Sequence, residues 1–244
     1  MGVLSRLGVG AATVETVLEA DRVRPGDAVD ARVEVTGGDS AQTVDRLDLA
    51  VATAYQVPTA ADQPTHATAD LAAVTLAEEF TVLPGEHRVV AVPPVEIPAT
   101  TPPTIDRTDV WLRTGLEVDW AVDPTDEEPL AVAPGPRVEA LLTALEDLGL
   151  SLSLADNVRS TLGPGEFAQC LACEPTADST WAALDAVRFY LAPGRGPLDI
   201  EVDAESGAAP PVERPGTLPA VTVESTDPVA VAARLRPLLD ESAN

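Results

Sequence analysis

Residues 107–124, RTDVWLRTGLEVDWAVDP, constrain the fold most: they place two of the three tryptophans, Trp111 and Trp120, in one alternating run of a chain that is only 3% aromatic. Val110 and Leu112 share one face, and Leu116, Val118, Trp120 and Val122 share another, the period of two that marks half-buried strands. Thr114-Gly115 stands where a bulge or tight bend would let the apolar side change face. Arg107, Asp109, Arg113, Glu117, Asp119 and Asp123 fill the positions between, and Pro124 closes the run. The expectation is a structural keystone of a β-sandwich built from Trp111, Trp120, Arg113, Gly115, Asp123 and Pro124, with both indoles largely buried.

The surrounding sequence repeats the pattern. Residues 12–20 read as a strand, Arg24-Pro25-Gly26-Asp27 as a turn, and 28–36 as a strand with Val29, Ala31, Val33 and Val35 inward. Gly37-Gly38-Asp39 turns the chain into a strand over 43–56, a polar loop covers 58–68, and a strand follows over 71–82. Pro93-Pro94, within the next apolar run, marks an edge or a crossing between sheets. Closely spaced short strands with turn signals between them predict an antiparallel sandwich over 1–125.

An acidic, proline-bracketed linker at 123–129 precedes a short strand over 130–133 and a second sandwich domain, 126–205. Its helix, about 136–149, is set by Val138, Leu141, Leu142, Leu145 and Leu148 at helical spacing, with Pro136 at the start and Gly149 at the stop. Strand-like runs resume at 150–158, 166–173, 181–191 and 198–204. Residues 206–244 read as a flexible stretch and a terminal helix from Asp227-Pro228 that Pro237 should kink or break.

Charge separates the function classes. Fifteen basic residues, all arginine, face 40 acidic ones, a net charge of −25. A surface this acidic repels nucleic acid and anionic membranes. High genomic GC explains the missing lysine but not the excess of carboxylates. The composition therefore points to an extreme halophile of haloarchaeal type, since at molar salt the screening length falls to about 3 Å. The opening residues lack the apolar core of a signal peptide, and no run reaches the ~18 apolar residues of a membrane helix. A soluble cytoplasmic protein with no integral membrane segment is expected. Two cysteines make no disulfide framework, which agrees.

Candidate chemistry is sparse. Cys170-Leu171-Ala172-Cys173 has the spacing of a redox pair or half a zinc site, but in a strand residues three apart face opposite ways, so inert, buried cysteines are expected. His66 is placed in a polar loop and His87 after a turn, neither beside a nucleophile. Asp45, Asp48, Asp119, Asp123, Asp126 and Glu127 offer oxygen ligands for calcium or magnesium, although forty carboxylates cluster by chance. No catalytic residue, cofactor site or metal site is assigned.

Gly8-Val9-Gly10-Ala11-Ala12-Thr13-Val14-Glu15-Thr16 resembles the opening of the sporulation-control (SpoOM) family. So do Arg24-Pro25-Gly26-Asp27, Gly37-Gly38, and above all Val110-Trp111-Leu112-Arg113-Thr114-Gly115-Leu116-Glu117-Val118 with Ala121-Val122-Asp123-Pro124. The resemblance is continuous over about 1–135. It implies two tandem arrestin-like β-sandwich domains without catalytic residues, and a non-enzymatic adaptor or scaffold that works through protein partners; a homodimer is compatible with it. It transfers no binding residues. The alternative is an ion- or carbohydrate-binding module, or a hydrolase, using an acidic cleft.

Overall fold

The computed structural model describes residues 10–58, 65–118, 123–162, 165–192, 194, 196–204 and 218–242. In chain order the elements are β1 (Thr13–Leu18), β2 (Ala28–Val29), β3 (Ala31–Thr36), β4 (Gln42–Val57), β5 (Thr65–Val82), β6 (His87–Ala91), β7 (Val95–Glu96), β8 (Val110–Val118) and β9 (Thr125–Pro129). There follow α1 (Pro136–Asp147), β10 (Leu150–Arg159), β11 (Phe167–Pro175), β12 (Val187–Ala192), β13 (Leu198–Asp203), β14 (Ala220–Val223) and α2 (Pro228–Ser242). The fold is mainly β, as expected, and its ladders are mostly antiparallel, with a parallel bridge between Val158 and Gln56.

Two compact units share the chain. The first holds Met1–Thr53, Asp70–Pro98 and Asp109–Ala131; the second holds Ala54–Ala69, Ala99–Thr108 and Val132–Asn244. The units interleave instead of dividing near residue 125. The cause is the length of β4 and β5, 16 and 18 residues, whose adjoining ends belong to the second unit.

In the first unit, β1, β3 and β6 form one sheet, while β9, β8 and β4 form another, with β5 also paired to β4. Val14, Val33 and Val35 of β1 and β3 meet Val44, Leu47, Leu116 and Val118 of β4 and β8 in one core. Each such side chain contributes about 1.5–3 kcal/mol on burial. β8 runs without interruption: Val110, Leu112, Thr114, Leu116 and Val118 are all buried on one face. The bulge expected at Thr114-Gly115, and the change of face there, are therefore absent. Thr114 can take an inward place because its hydroxyl lies 2.6 Å from that of Thr16 on β1. The irregularity falls in β4 instead, between Val44 and Arg46.

The acidic stretch read as a linker forms β9 and pairs with β8, displacing the strand expected over 130–133. An edge strand tolerates such charge, and Asp126 accepts a hydrogen bond from the Thr16 N–H at 2.7 Å. β5 begins at Thr65, so His66 lies in a strand and not in a loop. Pro93-Pro94 stands where expected, between β6, which pairs with β3, and β7, which pairs with β2. At Gly37 and Gly38 the backbone approaches closely: a Cβ would stand 2.0 Å from the Leu83 oxygen and 2.1 Å from the Gly10 oxygen, respectively.

In the second unit the sheet order is β14-β13-β12-β11-β10, joined by the end of β4. One face carries both helices. Leu141 and Leu145 of α1 and Val231, Leu235 and Leu239 of α2 pack with Leu171, Phe189, Ile200 and Val202 of the strands. Pro136 opens α1, and Gly149, at φ 72°, follows its end, as the sequence predicts. Pro237 does not break α2, because Leu235 and Leu239 on either side are fully buried and hold the helix against the lost backbone bond. The strand expected over 181–191 starts only at Val187, and residues 181–186 form a turn that buries Trp181. Of the expected flexible stretch, 205–217 lie outside the described residues.

Candidate functional site

The expected keystone residues serve separate local roles. Trp111 is half-buried, not largely buried, since it lies on the face of β8 opposite the core. Trp120 lies outside the described residues. Arg113 donates from one guanidinium nitrogen to both oxygens of Asp70, at 2.9 and 2.7 Å, on an exposed surface. Gly115 pairs regularly with Asp48 and Thr125, and a Cβ there would meet nothing within 4 Å. Asp123 accepts from the Val118 N–H at 3.1 Å, and the Pro124 carbonyl accepts from the Leu116 N–H at 3.0 Å, so this pair fixes the chain beside β8.

The cysteines stand as the strand geometry predicts. Cys173 joins the core beneath the helices, while Cys170 joins Val158, Ala168 and Tyr190 on the other face of the sheet. Both are free and fully buried, and burial pushes each thiol up to about 12. A protonated, inaccessible thiol is a poor nucleophile and a poor metal ligand.

Three of the candidate carboxylates are engaged, each at a separate place. Asp48 takes Arg46 at 2.6 Å and the Thr75 hydroxyl at 2.7 Å, and Asp126 and Asp123 hold backbone N–H groups. Asp45 and Glu127 are exposed, and Asp119 lies outside the described residues. Among the described residues, no three His, Cys, Asp or Glu side chains gather as a cation site requires. His87 Nε2 lies 3.2 Å from Glu34, whose carboxyl is held below its ordinary range chiefly by the Arg32 guanidinium. His66 is exposed.

Sequence reasoning missed the buried polar groups of the second unit. The Gln56 amide donates to the carboxylate of Asp156, which is 3% exposed. Burial pushes that carboxyl above its usual range, against the Gln56 amide, the Asn157 backbone N–H, His66 and Arg107. The Asn157 amide donates to the Ala54 carbonyl at 3.0 Å, and Gln169 donates to the Pro103 carbonyl and the Thr108 hydroxyl. These bonds fasten the end of β4 and the segment 99–108 within their unit. Trp181 was also missed. It is 2% exposed, its indole N–H donates to Asp240 at 3.1 Å, and Arg236 lies over its ring at 5.8 Å. Polar residues inside otherwise apolar runs (Gln56, Asp156-Asn157, Gln169) were the available signal.

What stays open is backbone at sheet edges. Among the described residues β1, β2, β5, β6, β7, β9 and β14 each pair in a ladder with one neighbouring strand only. Such edges are templates for another strand. β5 carries Glu79 in the left-handed region, at φ 46°, and exposes Val74.

The described residues thus define a mainly β protein with buried, protonated thiols and dispersed carboxylates. The family model of the SpoOM protein matches residues 1–206, and the chain belongs to that family. It is similar to the sporulation-control protein spo0M of Bacillus subtilis (strain 168), with 33% identity over 149 residues. That match spans 61% of this chain and 57% of the relative, less than two thirds of it. The crystal structure of Spo0M, the sporulation control protein from Bacillus subtilis, matches with a TM-score of 0.81 and 26% identity, covering 96% of this chain and all of that one. The arrestin-like, mainly β fold implied by the motifs is thus the fold observed. Among the described residues no helix is long and apolar enough to cross a membrane.

Proposed function

We propose that the protein is a non-enzymatic adaptor that recruits protein partners in regulation, acting in the cytoplasm through contacts at its sheet edges. The observation that carries this reading is the contrast in the site itself: among the described residues the potentially reactive side chains are dispersed, whereas seven strands pair with one neighbour only. A homologous sporulation-control protein supports a regulatory setting. The acidic surface suits a partner met in concentrated salt, where long-range repulsion is screened and short-range contacts carry recognition.

Affinity capture from a native high-salt lysate with mass spectrometry tests this reading. Reproducible protein partners, lost on placing proline in an exposed edge strand, are expected. No partners, together with tight calcium or glycan binding to the purified chain, would overturn it in favour of a binding module with an acidic cleft.

A further inference from the structure

Beside β14, at the open edge of the second unit's sheet, lies a groove of about 350 Å³ lined by Thr222, Val223, Glu224, Ser225, Ala230, Val231 and Arg234. One wall is the edge strand and its continuation; the other is the first turns of α2. The volume falls in the range of sites that hold a few residues of ligand. β14 pairs with β13 in the register Leu198 with Val223, Asp199 with Thr222, Ile200 with Val221 and Glu201 with Ala220. The Val202 N–H donates to the Pro219 carbonyl at 2.9 Å, which makes Pro219, Val221 and Val223 the residues whose backbone turns toward β13. By the alternation of the ladder, Ala220 and Thr222 direct their N–H and C=O groups away from β13.

Charge says what would fill the groove. Arg234, exposed on α2, takes part in none of the ion pairs seen among the described residues, so its guanidinium is available to a carboxylate of a partner. Arg137, the other cation at this edge, donates through Nε to the Glu224 carbonyl at 3.1 Å and braces the end of the strand. Among the described residues the groove therefore combines a strand edge with no further strand on it, a small apolar floor from Val223 and Val231, and Arg234 across from the exposed Glu224 at the rim.

We propose that this groove binds an extended segment of a partner protein, which adds to β14 as a further strand and sets an acidic side chain against Arg234. The proposal rests on the adaptor reading and names the edge that does the work. Backbone bonds to Ala220 and Thr222 supply affinity, and the carboxylate opposite Arg234 fixes register and selects acidic segments over basic ones.

The test is selection of displayed random ten-residue peptides on the full chain, followed by titration of the enriched peptides against two variants. Arg234→Glu reverses the rim charge, and Thr222→Pro removes an outward N–H while sparing the ladder to β13. Far-ultraviolet circular dichroism confirms that each variant is folded, with Ala220→Pro as the substitute should Thr222→Pro fail to fold. Enriched peptides should carry Asp or Glu, and each variant should weaken them about tenfold or more. No enrichment, or binding that both variants retain, would overturn the proposal. Lysate partners that survive both substitutions would sink this groove while leaving the adaptor reading standing, whereas absence of lysate partners would sink the adaptor reading itself.

Discussion

The two units differ in how their strands are buried, and the difference governs what each can do. In the first, most strands bury one face: β8 alternates down its length, and β5 is exposed along most of its eighteen residues. In the second, β11 is buried from Phe167 to Cys173 without a break, because helices cover one side and the Cys170–Tyr190 cluster lies on the other. A strand buried on both faces gives rigidity; a half-buried strand at an edge leaves backbone to offer.

The sharpest way to break this contrast is to remove one tryptophan from each unit. Trp181→Ala should cost about 3–5 kcal/mol, since it empties a fully buried site and removes the indole N–H that Asp240 accepts. Trp111→Ala should cost about 1–2 kcal/mol, because that side chain lies outside the core and keeps part of its surface in water. Urea melts decide between them, and equal losses would erase the distinction. Next in size, Gly38→Ala should destabilise the first unit by about 2 kcal/mol or more, as the new Cβ collides with the Gly10 carbonyl.

Alkaline pH probes the second unit. Both thiols have folded values raised from 9.0 to about 12, so the folded state holds protons that the unfolded chain releases. Their contribution is complete below about pH 9 and is lost as the pH rises toward 12. The midpoint should therefore fall over that window in the intact chain and fall less in a Cys170→Ala/Cys173→Ala variant. The smallest effect belongs to the exposed Arg113–Asp70 pair, where Arg113→Ala should change stability by no more than ~1 kcal/mol and still less in molar salt. A melting series from about 0.1 to about 3 M KCl should raise the midpoint by tens of degrees if the carboxylate excess is an adaptation to salt; a flat series would return that excess to mere composition.

The same contrast explains what could be read in advance. Val29, Val33 and Val35 alternate with charges, so half-burial is visible in the residues themselves. β11 shows no period because both its faces are covered, and Gln169 hides within it as a buried amide. The helix at Pro136 was legible from its leucines and its Gly149 stop. β9 was not, because an edge strand of TDEEP carries the composition of a linker. Trp181 escaped notice because a buried turn has no periodic signature. The groove beside β14 depends on which residues the fold brings to the start of α2, and no local pattern records that.

The central proposal is that this protein works by contact and not by side-chain chemistry. Its most direct test is quantitative recovery of lysate partners by the intact chain and by a single variant combining Cys170→Ala, Cys173→Ala and Asp156→Asn, which removes both buried thiols and the buried Asp156 carboxyl while keeping an acceptor for the Gln56 amide. The account predicts the same partners at the same yield from both, provided circular dichroism shows the variant folded. Loss of those partners from a folded variant would contradict it.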